Sequence, residues 1–285
     1  MNAPAHALDL PDQTPVFHSA LFLAPGRPRP LARRLAIHNR VLRRVRSFLE
    51  ERRFQEIPVP VFAAPAAARA AAGSEPWAAG AAASGLAAAS GLDHLDAMVR
   101  RGFPAVWCET AGLRPWALDA TGSPAEFKLI EAVGLDLDAT GLGDLMQDLV
   151  KAVVADLGAD LLGGRAVTRL DQMLRVAHPR LTHPEAVRVL GTRGIAVEPG
   201  RPLSSEAEAS LVRYCGNLPV IIEDMPGSGK AEQAQGYILP FAGQTMEGGL
   251  RPGQPPRAGI ELGVARLLQF VQGLGSVQDA LIPIA

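Results

Sequence analysis

A permanently charged arginine lies inside an apolar run near the end of the chain. Arg266 is surrounded in sequence by hydrophobic residues at helical spacing: Ile260, Val264, Leu267, Leu268 and Val271. A guanidinium does not lose its charge, so burying one without an anion costs several kcal/mol. Gly259 and Gly263 precede it, and without side chains they let a ligand approach the backbone. This combination predicts a phosphate-binding arginine; the alternative is an amphipathic helix whose arginine reaches water.

A second arginine stands beside an aromatic residue on a predicted β-hairpin. Arg114 follows a strand predicted over Ala105–Glu109, and the returning strand, Glu126–Val133, carries Phe127 and Glu131. Side chains alternate along a strand, so Phe127 and Glu131 share a face. An aromatic ring beside an arginine on an open sheet can hold a nucleobase, and stacking contributes about 1–3 kcal/mol in nucleic-acid platforms. The alternative is that Phe127 belongs to the hydrophobic core.

The elements that position these residues follow from hydrophobic periodicity. The pattern predicts helices over Leu31–Arg53, Asp93–Arg101 and Asp144–Leu157, and strands over Phe54–Phe62, Ala105–Glu109, Glu126–Val133 and Pro219–Glu223. Two capping boxes, Thr182–Glu185 and Ser205–Glu208, mark the starts of two more helices. Strands and helices are mixed without strict alternation, which predicts an α+β fold around an antiparallel sheet.

Two segments are predicted to lie outside the packed core. Residues 1–30 are Pro-rich without a clear period, which predicts an extended N-terminal arm. Residues 63–90 are dominated by alanine, which predicts a mobile loop. The folded domain is therefore expected to span residues 31–285.

The first predicted helix has an arginine-rich face and leads into a proline-containing strand. Its basic residues are Arg33, Arg34, Arg40, Arg43, Arg44 and Arg46. A face of this kind is typically solvated or interfacial, and contact with nucleic acid is the alternative. Pro58 and Pro60 cannot donate hydrogen bonds to a sheet, so the strand is expected at an edge or an interface.

Composition excludes several broad classes of protein. The formal net charge is −1, so the molecule as a whole has no basic footprint for nucleic acid. Cys108 and Cys215 are far apart and give no disulfide or metal framework, which favours a reducing compartment. No apolar stretch reaches the roughly 18 residues of a membrane span, and the N-terminus does not resemble a signal peptide. We therefore expect a cytoplasmic protein with no membrane partner.

Several familiar motifs are incomplete or missing. Gly227–Lys230 reads GSGK, but it has neither the upstream glycine nor the following hydroxyl of a phosphate-binding P-loop. The six histidines are scattered without carboxylates or cysteines at ligand spacing. There is no Gly-x-Ser-x-Gly elbow and no Cys–His pair, so covalent hydrolytic catalysis is not indicated.

Taken together, these residues resemble the catalytic core of class II aminoacyl-tRNA synthetases, in the aspartyl/asparaginyl branch. The likeness extends over about residues 30–285 and rests on three motifs in the right order, Arg33–Pro60, Val106–Glu131 and Ala258–Leu268. It implies an antiparallel sheet flanked by helices, and ATP and Mg²⁺ as cofactors. It also implies a homodimer formed through the first motif.

The resemblance assigns roles in an ATP site. Arg114 matches the arginine that holds the α-phosphate and the substrate carboxylate, and Arg266 matches the arginine on the γ-phosphate side. Phe127 matches the ring that stacks on adenine, and Glu126 is placed beside it in the ATP site. These matches imply that Arg114 and Arg266 carry the catalytic charge stabilisation.

Further matches imply an amino-acid pocket. Glu75 lies where a mobile loop of the family offers a glutamate to the substrate amino group, and Glu131 lies where a second acid binds the ammonium. Ser90 begins the segment that reads the side chain, and Arg251 matches the arginine that reads the side-chain oxygen.

The chain also departs from the family pattern. The metal-binding glutamate of the family falls on Gln244, and Glu247 occupies a glycine position, so these two residues are the candidate metal ligands. Leu92 and Leu95 replace a glutamine and a lysine of the side-chain-reading segment, and Trp116 replaces an acid of the second motif. Both metal handling and side-chain choice are expected to differ from the family.

The resemblance predicts an ATP-dependent, amino-acid-adenylating ligase. Only about 30 residues precede the first motif, where these synthetases carry an anticodon-binding domain. We therefore expect aspartate or a close analogue to be activated and transferred to ammonia or another amine, without selection of a tRNA by anticodon. The alternatives are a catalytically impaired paralogue that acts as a binding or regulatory module, and a tRNA-aminoacylating fragment.

Overall fold

The computed structural model describes residues 30–59, 62–63, 87–88, 91–113, 126–158, 161–162, 164–198, 200–226, 232–251, 253 and 256–281. Residues 1–29 of the predicted N-terminal arm and nearly all of the alanine-rich loop lie outside the described residues. Pro30, the last residue of the predicted arm, is the first residue of a helix. The described ranges hold seven α-helices, one short 3₁₀ helix and ten strands.

The elements alternate irregularly along the chain. The helices are α1 (Pro30–Glu51), α2 (Gly91–Arg100), α3 (Ala139–Asp156), α4 (Gly164–Leu174), α5 (His183–Thr192), α6 (Ser205–Tyr214) and α7 (Val264–Gln272). The strands are β1 (Gln55–Glu56), β2 (Phe62–Ala63), β3 (Ala87–Ala88), β4 (Ala105–Leu113), β5 (Glu126–Leu135), β6 (Arg180–Thr182), β7 (Val220–Met225), β8 (Glu232–Leu239), β9 (Gly243–Arg251) and β10 (Arg257–Gly263). The 3₁₀ helix is Gln278–Ala280.

Eight of the described strands form one sheet, in the order β1-β4-β5-β10-β9-β8-β7-β6, and β2 pairs separately with β3. The six inner strands of this order, from β4 through β5, β10, β9 and β8 to β7, each pair antiparallel with the next. The outer strands β1 and β6 pair in parallel. The predicted α+β fold with an antiparallel sheet is therefore confirmed, with parallel pairs only at the two edges. Strand β1 is short because Pro58 cannot extend the ladder.

One face of the sheet is the main hydrophobic core. Trp107, Ile130, Ile260 and Leu262 are at most 1% exposed on this side. They belong to the same apolar cluster as residues of α1, α3 and α7. On the opposite face, α2 packs over part of the sheet through an apolar cluster that includes Leu95. The rest of that second face carries the cavity described below.

Strand β10 corrects one expectation from the sequence. Ile260 was expected to begin a helix with Val264, but it lies in β10 and pairs with Ala132 and Gly248. The helix begins at Val264, after Gly263. Ile260 and Leu262 of the strand face the same core as the apolar residues of the helix. The combined spacing of apolar residues across the junction therefore resembled that of a single helix.

The outer part of the sheet packs on its own apolar cluster, formed by α5, α6, β7 and β8. Helix α5 has the predicted capping box, with Thr182 and Glu185 bonded reciprocally. The second predicted box is wrong. Ser204 is the N-cap of α6 and accepts from Ala207 N, so Glu208 lies one position too far along the helix to complete a box.

The arginine-rich face of α1 is engaged within the molecule. Arg40 pairs with Asp156 at 3.0 Å, and Arg46 pairs with Glu109 at 2.8 Å. Arg33 donates to Leu161 O at 2.7 Å. This favours the interpretation of a solvated or interfacial face over a nucleic-acid surface.

None of the helices in the described part of the chain combines the length and apolar character needed to cross a bilayer.

Candidate active site

A cavity of about 380 Å³ opens on the second face of the sheet, where β5, β9 and β10 meet α6 and α7. Its walls include four residues predicted from the sequence: Phe127, Gln244, Glu247 and Arg266. Lys128, Glu208 and Glu261 also line it. Segments more than 100 residues apart in sequence therefore converge on one site.

Strand register explains why these residues meet. Antiparallel neighbours directly opposite one another point to the same face. Phe127 and Glu131 share the cavity face of β5 as predicted, and Phe127 pairs with Gly112 of β4. Phe127 is half-buried in the cavity wall rather than fully buried in the core.

Arg266 is held against the turn that joins β8 to β9. It lies in the first turn of α7, and its Nη1 donates to Ala242 O at 3.2 Å and to Gln244 O at 2.9 Å. The side chain is half-buried and forms part of the cavity wall. The guanidinium has five N–H donors in a planar fork, which suits a phosphate ligand.

Three glutamates form a row across adjacent strands. Glu131 of β5 lies opposite Glu261 of β10, which lies opposite Glu247 of β9. Like charges directly opposite in a sheet destabilise it, so the row favours cations in its neighbourhood. Sequence reasoning missed Glu261, although Arg257–Gly263 alternates polar or small residues with apolar ones, which is the signal of a strand.

Glu131 is the most enclosed member of the row. It is 3% exposed, and Leu92 N donates to its Oε1 at 3.0 Å. Thr110 Oγ1 donates to its other oxygen. A Cβ placed on Gly91 would lie 1.9 Å from Glu131 Oε2, so the first turn of α2 closes directly over the carboxylate. The positive end of that helix further stabilises the charge.

Two buried arginines stand at the opposite end of the same face. Arg251 is 8% exposed, and its Nη2 donates to Asp93 Oδ1 at 2.6 Å. Arg257 lies opposite Arg251 and pairs with Asp96, which also pairs with Arg100. Burial alone would raise the pKa of Asp96, but its hydrogen bonds and charge contacts with the two arginines hold that pKa below the usual value.

Not every predicted site residue can be placed. Glu75, Ser90 and Arg114 lie outside the described residues. Glu126 is the first residue of β5, and its backbone lies opposite Leu113. Their assigned roles remain predictions.

The side chains of Gln244, Glu247 and Glu261 carry oxygen atoms, which are the ligand type that a magnesium ion prefers. Gln244 Nε2 donates to Glu247 Oε2 at 3.3 Å, and Glu247 lies opposite Glu261. Among the described residues, no group of three or more His, Cys, Asp or Glu side chains is arranged to hold a metal. Mg²⁺ is commonly held by one or two carboxylates together with substrate phosphates, and Glu247 and Glu261 could supply such a pair.

Among the described residues that line the cavity there is no cysteine or histidine. Burial raises the pKa of the Cys108 thiol to about 12, with a further contribution from the Glu131 carboxylate. The thiol is therefore neutral at physiological pH and unsuited to attack.

The fold is that of the catalytic core of class II aminoacyl-tRNA synthetases. Asparaginyl-tRNA synthetase from Pyrococcus horikoshii, solved with asparaginyl-adenylate, superimposes with a TM-score of 0.71 at 18% identity, over 89% of this chain and 68% of that one. Aspartyl-tRNA synthetase from Entamoeba histolytica gives a TM-score of 0.68 at 14% identity, over 90% of this chain and 59% of that one.

Sequence comparison agrees with the fold. An asparagine–tRNA ligase from Aliivibrio fischeri is 26% identical to this chain over a match that covers 55% of this chain and 45% of the ligase. No family model matches the chain. The predicted resemblance is confirmed: the homologues of this chain are class II synthetases of the asparaginyl/aspartyl kind. The chain spans less than half the length of the ligase from Aliivibrio fischeri.

Proposed function

We propose that the chain activates an amino acid with ATP to form an aminoacyl-adenylate. The observation that carries this proposal is the convergence of Phe127, Gln244, Glu247 and Arg266 on one open cavity. They come from β5, β9 and α7, so register and helix packing bring them together. A protein with the same fold has been solved with an aminoacyl-adenylate.

The chemistry needs no protein nucleophile. A carboxylate oxygen of the amino acid attacks the α-phosphorus of ATP; a new P–O bond forms as the bond to the β-phosphate breaks, and pyrophosphate leaves with the electron pair. Positioning and electrostatic stabilisation carry reactions of this type. Arg114 is proposed to bind the α-phosphate, and Arg266 the departing polyphosphate.

The other side chains are proposed to orient the two substrates. Phe127 stacks on the adenine with Glu126 beside it, while Glu75 and Glu131 bind the ammonium of the amino acid. When bound, Mg²⁺ would neutralise polyphosphate charge, and Glu247 would hold it with Gln244 and Glu261 nearby.

The substrate is proposed to be aspartate or a close analogue. Arg251 is proposed to bind the side-chain oxygen, and Ser90 is proposed to take part in reading the side chain. In the structure Arg251 contacts Asp93. The activated acyl group is proposed to pass to ammonia or another amine. Transfer to a tRNA is the alternative, and a filter-binding assay over a salt series would separate the two, because contacts to phosphates give a steep salt dependence.

The test is amino-acid-dependent exchange of labelled pyrophosphate into ATP, run with each standard amino acid. Exchange stimulated by aspartate or a relative supports the proposal, and no exchange with any amino acid refutes it. Arg114→Ala and Arg266→Ala should abolish exchange. Arg175→Ala is the matched control, because Arg175 lies on the surface and pairs only locally with Asp171.

A binding or regulatory role is the second candidate. Gln244 favours it, because an amide replaces the acid that the family uses for its metal, and here it hydrogen-bonds Glu247. ATP binding without pyrophosphate exchange would support this role.

A homodimer through α1 is also proposed. Leu31 and Leu35 of this helix are 48% and 41% exposed, so the start of α1 presents apolar surface. Sedimentation equilibrium of the wild type and of Leu35→Glu would test it, with a shift to monomer expected in the variant.

A further inference from the structure

Glu208 is a buried carboxylate next to Arg266. It does not form the capping box predicted from the sequence, and the proposed chemistry gives it no role. It lies in the first half of α6 and is 8% exposed. Burial raises the pKa of its carboxyl, opposed by a hydrogen bond from Gln244 and by the charge of Arg266. Burying a carboxylate is costly unless it is hydrogen-bonded and paired, so this position calls for a reason.

The carboxylate holds the backbone at the start of β9. Gln244 N donates to Glu208 Oε2 at 3.0 Å, and Gln244 O accepts from Arg266 Nη1 at 2.9 Å. The same peptide segment is thus bonded to Glu208 on one side and to Arg266 on the other. The β8–β9 ladder shifts register just before this point, between Tyr237 and Ile238, so side chains fix the turn where the ladder is irregular.

Both charged groups lie close to Gly243. Its φ is +70°, and a Cβ built there would lie 2.7 Å from Glu208 Oε2 and 3.1 Å from Arg266 Nη1. The carboxylate and the guanidinium therefore close over the same glycine. The charge of Arg266 acts to lower the pKa of the Glu208 carboxyl, so the two groups attract each other, and the turn between them limits where the guanidinium can lie.

We infer that Glu208 is a positioning residue that orients Arg266 and Gln244 toward the polyphosphate end of a bound nucleotide. It does so by anchoring the Gln244 backbone, against which Arg266 is held. This inference rests on the proposed function, because it gives Arg266 the polyphosphate as ligand. A role confined to folding would destabilise the turn without distinguishing ATP from AMP.

The experiment compares the binding of α,β-methylene ATP and of AMP by calorimetry in the full chain. For Glu208→Ala we expect the dissociation constant for the ATP analogue to rise about tenfold, with that for AMP unchanged. Glu208→Gln keeps an oxygen acceptor for Gln244 N and should restore most of the affinity. Glu206→Gln, an exposed acid in the same helical turn, is the matched control.

If Glu208→Ala does not fold, Glu208→Asp carries the test, since it keeps the charge but draws the carboxylate back from Gln244 N. Wild-type affinity for the ATP analogue in Glu208→Ala or Glu208→Asp would overturn the inference. Equal losses for ATP and AMP in either variant would do the same. If the wild type binds neither nucleotide, the proposed function itself fails, and that outcome is distinct from an effect confined to Glu208.

Discussion

Replacing Gly91 by alanine should damage the amino-acid pocket while leaving the nucleotide end intact. The added methyl group would lie 1.9 Å from Glu131 Oε2, 2.6 Å from its Cδ and 2.9 Å from Thr110 Cγ2. Contacts this short are not tolerated, so the carboxylate must move. Moving it breaks the hydrogen bonds from Leu92 N and Thr110 Oγ1.

The size of the effect follows from those two bonds. A hydrogen bond to a charged group contributes about 1.5–3 kcal/mol, and an unsatisfied buried charge costs more. Alanine offsets part of this loss, since it is favoured over glycine in helices by at most about 1 kcal/mol. The net expectation is a loss of about 2–5 kcal/mol in the free energy of unfolding. The KM for the amino acid should rise at least about tenfold, and ATP affinity should stay near wild type.

Gly164→Ala is the matched control for this prediction. Gly164 is also the first residue of a helix, but a Cβ there would meet nothing within 4 Å. Urea unfolding and pyrophosphate-exchange kinetics of the two variants should therefore diverge, with Gly164→Ala neutral or slightly stabilised. If Gly91→Ala kept both wild-type stability and the wild-type KM for the amino acid, the role given to Glu131 would be refuted.

Three further predictions concern pH, a buried ion pair and the adenine site. His178 is buried against Tyr237, and burial lowers the pKa of its imidazole to about 4. Because the unfolded chain binds this proton near pH 6.5, the free energy of unfolding should fall by about 3 kcal/mol between pH 6.5 and pH 4. Urea unfolding measured over this pH range should show a shallower fall in His178→Gln. Asp96→Asn removes the charge that pairs with Arg257, whose side chain is 2% exposed. This substitution should lower the free energy of unfolding by about 3–5 kcal/mol. The surface substitution Asp171→Asn should change it by less than about 1 kcal/mol. Phe127→Ala should raise the KM for ATP by an amount equivalent to about 1–3 kcal/mol without lowering the melting temperature much, because the ring lines the cavity; an unchanged KM would remove Phe127 from the site.

Hydrophobic periodicity predicted the helices and strands that have a single period along their length. It did not predict those that join a strand directly to a helix. The helices α1 and α3 and the hairpin of β4 and β5 were predicted within a few residues, because each presents a single period to a single core. Strand β10 runs into α7 without a loop, so its two periods merged into one apparent helix. Helix α4 and strand β8 were not predicted.

The same limit applies to the site. Arg266 and Phe127 were found because a charge in an apolar run and a ring on an open strand are visible locally. Glu261 and Glu208 were not, because their importance comes from neighbours distant in sequence. Glu261 acquires its role from strand register, opposite Glu131 and Glu247. Glu208 acquires its role from the packing of α6 against the turn before Gln244.

The arrangement of charge on the sheet indicates how the two substrates would share the site if the proposed function holds. Phe127 and Glu131 are four residues apart on β5, or about 13 Å along a strand, so adenine and ammonium can occupy opposite ends of one extended ligand. Glu261 lies directly opposite Glu131 on one side and Glu247 on the other, so three negative side chains stand next to one another across the sheet. An ammonium at Glu131 and a magnesium ion at Glu247 would each neutralise part of this negative charge, so each cation should weaken the attraction of the row for the other.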